Sequence, residues 1–345
     1  GEKRALQSAS VMGQLFDAEA LSHLLGVEAY DCRELVEHNL IRAQDDGYLF
    51  AHALIQESVY GSLLKRERKA LHKKAADWFA QTDHVLHAQH LEMAGDEQAC
   101  AAYLGAAEEQ ARRYRYESAL NLIERALQLD PRQSDRHPLT CLKAELLLAM
   151  GNTDSSMTVF WDAERHADDD LQRCDAWMGL AANMRVKTHY EDGLALLEKA
   201  EPVAAQHGLV VELSRLHHMR GNLLFSLGRA DECRREHLSA LAFAEQGHSP
   251  EGEARALGGL GDAEYVRGRM QTARDYYSRC VELARQQGLG QVEVAHVGQR
   301  GWTRLYTGDL QGAKSDCLTA IDLAAKVGDR RAEMNWASTT SPGPT

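Results

Sequence analysis

Four histidines are the side chains best suited by type to hold a metal ion: His72, and the run His84, His87 and His90. Neutral imidazoles bind Zn²⁺ or Ni²⁺. The run has spacing i, i+3, i+6, which drifts around a helix, so at most two of its members reach one ion. Neither a metal nor any other cofactor is expected. Gly259-Leu260-Gly261 imitates part of a dinucleotide loop, yet no strand precedes it. No Gly-x-x-x-x-Gly-Lys-Ser/Thr occurs, so no cradle of backbone amides, lysine and hydroxyl awaits a nucleoside triphosphate and Mg²⁺. A Ser/His/acid nucleophile motif and His-Glu-x-x-His are also missing. The chain reads as non-enzymatic, with its function carried by surfaces.

The elements that build those surfaces repeat. Gly221, Gly261 and Gly301 are spaced by 40 residues, as are Gly228, Gly268 and Gly308. The block Leu260–Gly268, followed by Ala273, Tyr277, Cys280 and Leu283, resembles the tetratricopeptide (TPR) repeat at its small, glycine and aromatic positions. Small residues at Gly261, Ala273 and Cys280 let two antiparallel helices approach, and Tyr277 fills the gap between them. The same register starts further copies at Ala181, Ala144 and Ala107. The small sites recur as Ala119 and Ala126, Ser156 and Ala163, and Gly193 and Ala200, and Pro131 stands where the second helix of the first copy should break. The expectation is an all-α, TPR-like α-solenoid of about six repeats over residues 101–337; the alternative is an irregular helical bundle.

In that family the first helix of each hairpin lines a concave groove. Transferred by register, the resemblance implies groove residues Asn222, Phe225 and Ser226, then Asp262, Tyr265 and Val266, then Trp302, Leu305 and Tyr306, with Arg185, Arg215 and His218 upstream. Rigid rings beside amide and guanidinium groups suit a protein or peptide partner. The competing reading is that several of these rings pack between repeats.

The first 64 residues are different. Arg4–Met12 and Asp17–Leu25 carry helical apolar spacing, with Asp17 as N-cap and Gly26 as C-cap, and a third helix is expected over Ala29–His38. Leu40–Ala43 and Tyr48–Phe50 flank Gln44-Asp45-Asp46-Gly47, a hairpin turn. Three helices and one short β-hairpin describe a winged-helix-like domain over 1–64; a helical cap without a wing is the alternative. Connecting helices follow over 65–100. Residues 338–345, Ser-Thr-Thr-Ser-Pro-Gly-Pro-Thr, have a disordered composition.

Winged helices often bind DNA, yet the third helix offers Asp31, Glu34 and Glu37 against Arg33, and phosphates would repel it. The net charge of −12 also argues against nucleic acid. The basic cluster Lys65, Arg66, Arg68, Lys69, Lys73 and Lys74 reads as a solvated helix face. Phe50-Ala51-His52-Ala53-Leu54-Ile55-Gln56-Glu57-Ser58-Val59-Tyr60, running into Arg68, Leu71-His72 and Ala75-Ala76, resembles the winged-helix exit segment of STAND-type signalling ATPases. In particular it is similar to bacterial regulators in which the ATPase joins TPR repeats and a cyclase, kinase or LuxR-type domain. The resemblance implies that the winged helix packs on an ATPase domain absent from this chain, and that His52 faces the phosphates of its nucleotide. The start at Gly1 rather than Met suggests a segment of a longer polypeptide. Function is then a non-catalytic regulatory scaffold that binds a protein, peptide or small ligand on the TPR groove and relays it to that ATPase, or alternatively a DNA-binding transcriptional regulator acting through its own winged helix.

Composition is compatible with both. Of 345 residues, 44% are hydrophobic, and with six prolines long helices can form. No run of 18 apolar residues and no signal-peptide pattern occurs, so no membrane partner is expected. Seven scattered cysteines, three of them at packing sites of the repeat (Cys233, Cys280 and Cys317), fit free thiols and a cytoplasmic location.

Overall fold

A computed structural model describes residues 1–44 and 47–327. The expected tail at 338–345, the end of the last repeat at Ala337, and Asp45-Asp46 of the expected turn lie outside the described residues. The chain divides into two compact units, Gly1–Lys143 and a second from Ala144 onward.

The first unit opens with α1 (Glu2–Ser10), β1 (Leu15–Phe16), α2 (Ala18–Leu25), α3 (Arg33–Glu37), β2 (Ile41–Gln44) and β3 (Gly47–Phe50). The strands form one antiparallel sheet in the order β1-β3-β2, with Leu15 opposite Leu49 and Ile41 opposite Phe50. The single hairpin expected from sequence is therefore corrected to three strands. Two residues carry too little periodicity to announce β1, which exists through its pairing with β3. Asp17 caps α2 by accepting from the Ala20 amide, and Gly26 ends it in the left-handed region, as expected. The third helix is shorter than expected. Ser22 Oγ accepts the Tyr30 amide at 2.9 Å, which holds residues before Arg33 in a loop, and Asp31 then accepts the Arg33 amide at 3.0 Å. Leu6, Phe16, Leu21, Leu35, Ile41 and Phe50 form the core, with the Phe16 ring against Tyr48 and Phe50.

The same unit continues through α4 (Ala53–Gly61), α5 (Lys65–Phe79), α6 (His84–Ala94), α7 (Ala99–Arg112) and α8 (Tyr116–Gln128). The basic cluster on α5 is partly structural. Arg68 lies over the Tyr60 ring at 4.2 Å, Lys73 pairs with Asp96, and Lys74 donates to the Leu24 carbonyl.

Helix α9 (Gln133–Ala149) spans the boundary. The second unit holds α10 (Thr153–Arg165), α11 (Asp170–Val186), α12 (Tyr190–Gln206), α13 (Val210–Ser226), α14 (Ala230–Gln246), α15 (Pro250–Val266), α16 (Met270–Gln286), α17 (Gly290–Tyr306) and α18 (Leu310–Val327). Helices α7 and α8 form one TPR-like hairpin within the first unit, α11 to α18 form four consecutive hairpins of a TPR-like α-solenoid within the second, and no strand occurs among the described residues from α7 to α18. Each copy buries its three small sites, from Ala107, Ala119 and Ala126 to Gly301, Ala313 and Ala320. Seven residues after the first small site the backbone turns left-handed in every copy, at Tyr114, Gly151, Thr188, Gly228, Gly268 and Gly308. Four are glycine, which adopts this conformation without a Cβ penalty; Tyr114 and Thr188 must bear it.

A second regularity lies seven residues before the first small site. There Cys100, Cys174 and Ser214 donate across the hairpin to the carbonyls of Ala126, Ala200 and Ala240, at 3.7, 3.5 and 2.8 Å. Burial pushes the thiols up, Cys174 to about 11 and Cys233 to about 12, so they act as small packing groups with a weak donor. None of the seven cysteines forms a disulfide.

Candidate binding face

The register aligns Arg185, Phe225, Tyr265 and Leu305 near the C-terminal ends of α11, α13, α15 and α17. Phe225 is 41% exposed and Tyr306 61%. The Tyr306 ring lies 6.3 Å from Tyr265 and 6.4 Å from Trp302, stacked on the latter. Val266 and Leu305 are exposed beside them. Trp302 is half-buried and also packs toward Val281, Val297 and Ala320, so it joins the exposed patch to the core beneath.

Next to the aromatic patch the same helices carry polar groups. His218 on α13 accepts from the Asn222 amide at its Nε2, 3.0 Å away, and its ring lies 5.2 Å from His237 on α14. Burial, with His237, Arg255, His296 and Arg185 around it, holds His218 neutral well below its ordinary range. Arg185 is exposed. Arg215 is exposed too and pairs with Glu145 at 3.7 Å. Asp262 on α15 is half-buried and accepts the Tyr277 hydroxyl at 2.7 Å; burial raises its carboxyl, against the opposing pull of His296 and Tyr277.

Of the residues selected by register, the structure brings Tyr265, Trp302 and Tyr306 into one cluster and His218 and Asn222 into another. Asp262 turns to Tyr277, and Arg215 to Glu145. Sequence reasoning missed His237 and His296. His237 occupies the site equivalent to Tyr277 in the preceding copy and is 1% exposed. A Cβ at Gly221 or Gly259 would overlap the His237 ring, one at Gly258 the His296 ring, and one at Gly261 the Tyr277 ring. Gly259-Leu260-Gly261 is thus a packing surface for rings, as its place in the repeat indicates. Phe160 fills the equivalent cleft against Gly179. Comparing position 16 of each copy would have exposed His237, whereas His296 arrives from the next hairpin and has no local signal.

The remaining histidines separate. His72 Nδ1 and His90 Nδ1 are 2.9 Å apart, with Tyr60 hydroxyl on the other His72 nitrogen at 2.9 Å. His87 turns to the Ala76 carbonyl and His84 to Glu109. Among the described residues no three His, Cys, Asp or Glu side chains are grouped for a metal ion. His52 is exposed at the N-cap of α4, its side chain making no cap hydrogen bond. No helix among the described residues is long and apolar enough to cross a membrane.

A family model for the tetratricopeptide repeat matches residues 212–286, the span from α13 to α16, so this region is a tetratricopeptide-repeat region. A stretch of 115 residues is 31% identical to an uncharacterised protein of Rhizobium meliloti (strain 1021), covering 30% of this chain and 11% of that protein. Among solved structures, a signal transduction ATPase with numerous domains (STAND) carrying a tetratricopeptide repeat sensor, from Pyrococcus horikoshii, is similar with TM-score 0.71 and 14% identity, over 97% of this chain and 52% of that one. A Rap protein complexed with competence and sporulation factor is similar with TM-score 0.54 and 12% identity, over 70% of this chain and 80% of that one. These identities speak for the fold alone. The chain spans about half of the STAND protein and 11% of the Rhizobium relative.

Proposed function

We propose that this chain is a non-catalytic regulatory segment whose first-helix face binds a protein or peptide, and whose N-terminal domain relays that event to a STAND-type ATPase outside the chain. The observation that carries this reading is the ring cluster of exposed Tyr306 with half-buried Tyr265 and Trp302, continued in register by exposed Phe225 on α13. Large rigid rings contribute contact area at low entropic cost, which is why they anchor interfaces. The Rap and STAND structures, one complexed with a named factor and the other described as carrying a sensor, support a ligand on this type of scaffold.

The element order α1-β1-α2-α3-β2-β3 supports a winged helix over 1–64, with connecting helices over 65–100. His52 is its proposed nucleotide-facing residue once the ATPase domain is present. Free thiols support a cytoplasmic setting. The DNA-binding alternative is weakened because Arg33, the cation of α3, is engaged by Asp31 at 2.6 Å.

The test is photo-crosslinking from Phe225 and Tyr306, with Leu318 on α18 as a control exposed on a second helix, in an extract of the source cell. A discrete peptide or protein adduct from the first two positions and none from the control is expected. Equal labelling from all three would refute the assigned face. Sequence-specific retardation of duplex DNA at nanomolar protein would favour the alternative.

A further inference from the structure

We propose that the depression between α2, the loop after it and α5 is a binding site for an alkylammonium group, built from Tyr30, Trp78 and His23 with the carboxylates of Glu19 and Glu28. The cavity has a volume of about 520 Å³ and is also lined by Ala18, Val27 and Ala29, a size within the usual range for small-ligand sites. It lies wholly within the first unit.

Its walls are set in place by the local sequence. Ser22, itself buried, donates to the Ala18 carbonyl and accepts the Tyr30 amide, tying the loop to α2. Gly26 makes the left-handed turn that sends the chain back past α2. From the facing helix, Trp78 meets the His23 ring at 5.2 Å. The rings and small apolar side chains make a surface that favours a weakly hydrated cation, whose charge is attracted to the faces of Trp and Tyr.

The charges point the same way. Glu19 and Glu28 are exposed and have no ion-pair partner among the described residues. Of the nearby cations, Arg33 is paired with Asp31, and the Lys74 ammonium is held by the Leu24 carbonyl and keeps its charge, against the two carboxylates of Glu19 and Glu28. Burial first, and then the neighbouring Cys32, Glu34, Glu2 and Asp31, raise the Tyr30 hydroxyl, so it lines the cavity as a neutral phenol. A cation placed between rings and free carboxylates gains from both; an anion is repelled.

The experiment titrates the full chain with choline, with its neutral isostere 3,3-dimethylbutanol, and with a short peptide carrying trimethyl-lysine, following the indole N–H resonance of Trp78 assigned through Trp78→Phe. A saturable shift with choline or the peptide, at least tenfold weaker for the isostere and at least tenfold weaker in a Glu19→Gln/Glu28→Gln double variant, is expected. Choline as the stronger of the two assigns a free small molecule, and the peptide as the stronger assigns a side chain of a partner. Because both carboxylates are exposed and unpaired, the double variant keeps its fold. No movement of the Trp78 resonance with either ammonium probe, or equal response to the neutral isostere, overturns the proposal.

Discussion

The hydroxyl of Tyr277 donates to the carboxylate of Asp262 at 2.7 Å while its ring lies on the backbone of Gly261. One side chain thus fills the cleft of the hairpin α15–α16 and satisfies the acid one residue beyond the glycine. Tyr277→Phe keeps the packing and removes the donor, and should cost about 1–2 kcal/mol. Gly261→Ala should cost about 1–3 kcal/mol, because the added methyl has nowhere to go except into the ring. Urea titrations of both variants give these differences directly; wild-type stability in Gly261→Ala would mean that the cleft is looser than the structure has it.

Acid should loosen the molecule well above the carboxylate range. His72 and His237 are held down to about 4, in each case first by burial. In the unfolded chain a histidine titrates near 6.5, so the unfolded state takes up more protons between these values. Stability is therefore present above pH ~6.5 and falls as pH drops toward ~4, on the order of 3 kcal/mol per histidine. Melting temperatures from pH 7.5 to 4.5 should decline steeply in the wild type and less so in His72→Gln. An unchanged slope in that variant would remove His72 from the account.

Thr188 occupies the left-handed position at φ 63° that Gly228, Gly268 and Gly308 fill in later copies. A β-branched residue is strained there. Thr188→Gly should stabilise by about 1 kcal/mol despite the entropy of glycine, and Gly228→Ala should destabilise by a similar amount. Calorimetry that shows Thr188→Gly melting lower than the wild type would contradict this.

Trp302 and Tyr306 stack on one another but differ in what lies beneath them. Trp302→Ala should lose about 2–4 kcal/mol of stability, since the indole packs toward Val281 and Val297. Tyr306→Ala, at a ring 61% exposed, should change stability by less than about 1 kcal/mol and act on partner binding instead. Equal losses of stability in the two variants would make Tyr306 a packing residue and weaken its assignment to the binding face.

Much of the scaffold was legible because its determinants are local or periodic. The small residues that begin each copy, and the glycines seven positions on in four of the six, recur with the hairpin, so the pairing of helices could be read from spacing. The caps of α2 at Asp17 and Gly26 were equally visible, since a cap depends on residues a few positions away. The binding face was legible only as a list: register could select Tyr265, Trp302 and Tyr306, but not tell which ring is anchored and which is free.

What the amino-acid sequence by itself determined is the helical hairpin and its period, because helix propensity, a steric need for small residues and a left-handed turn are all encoded within one repeat. Tertiary structure alone decided that His237 and His296 lie over Gly259 and Gly258, that His72 meets His90 while His84 turns to Glu109 and His87 to the Ala76 carbonyl, and that β1 becomes a strand. These outcomes depend on which side chains meet across different helices and strands. Ring volume, backbone clearance and desolvation are balanced only when those elements pack, and no spacing along the chain records that balance.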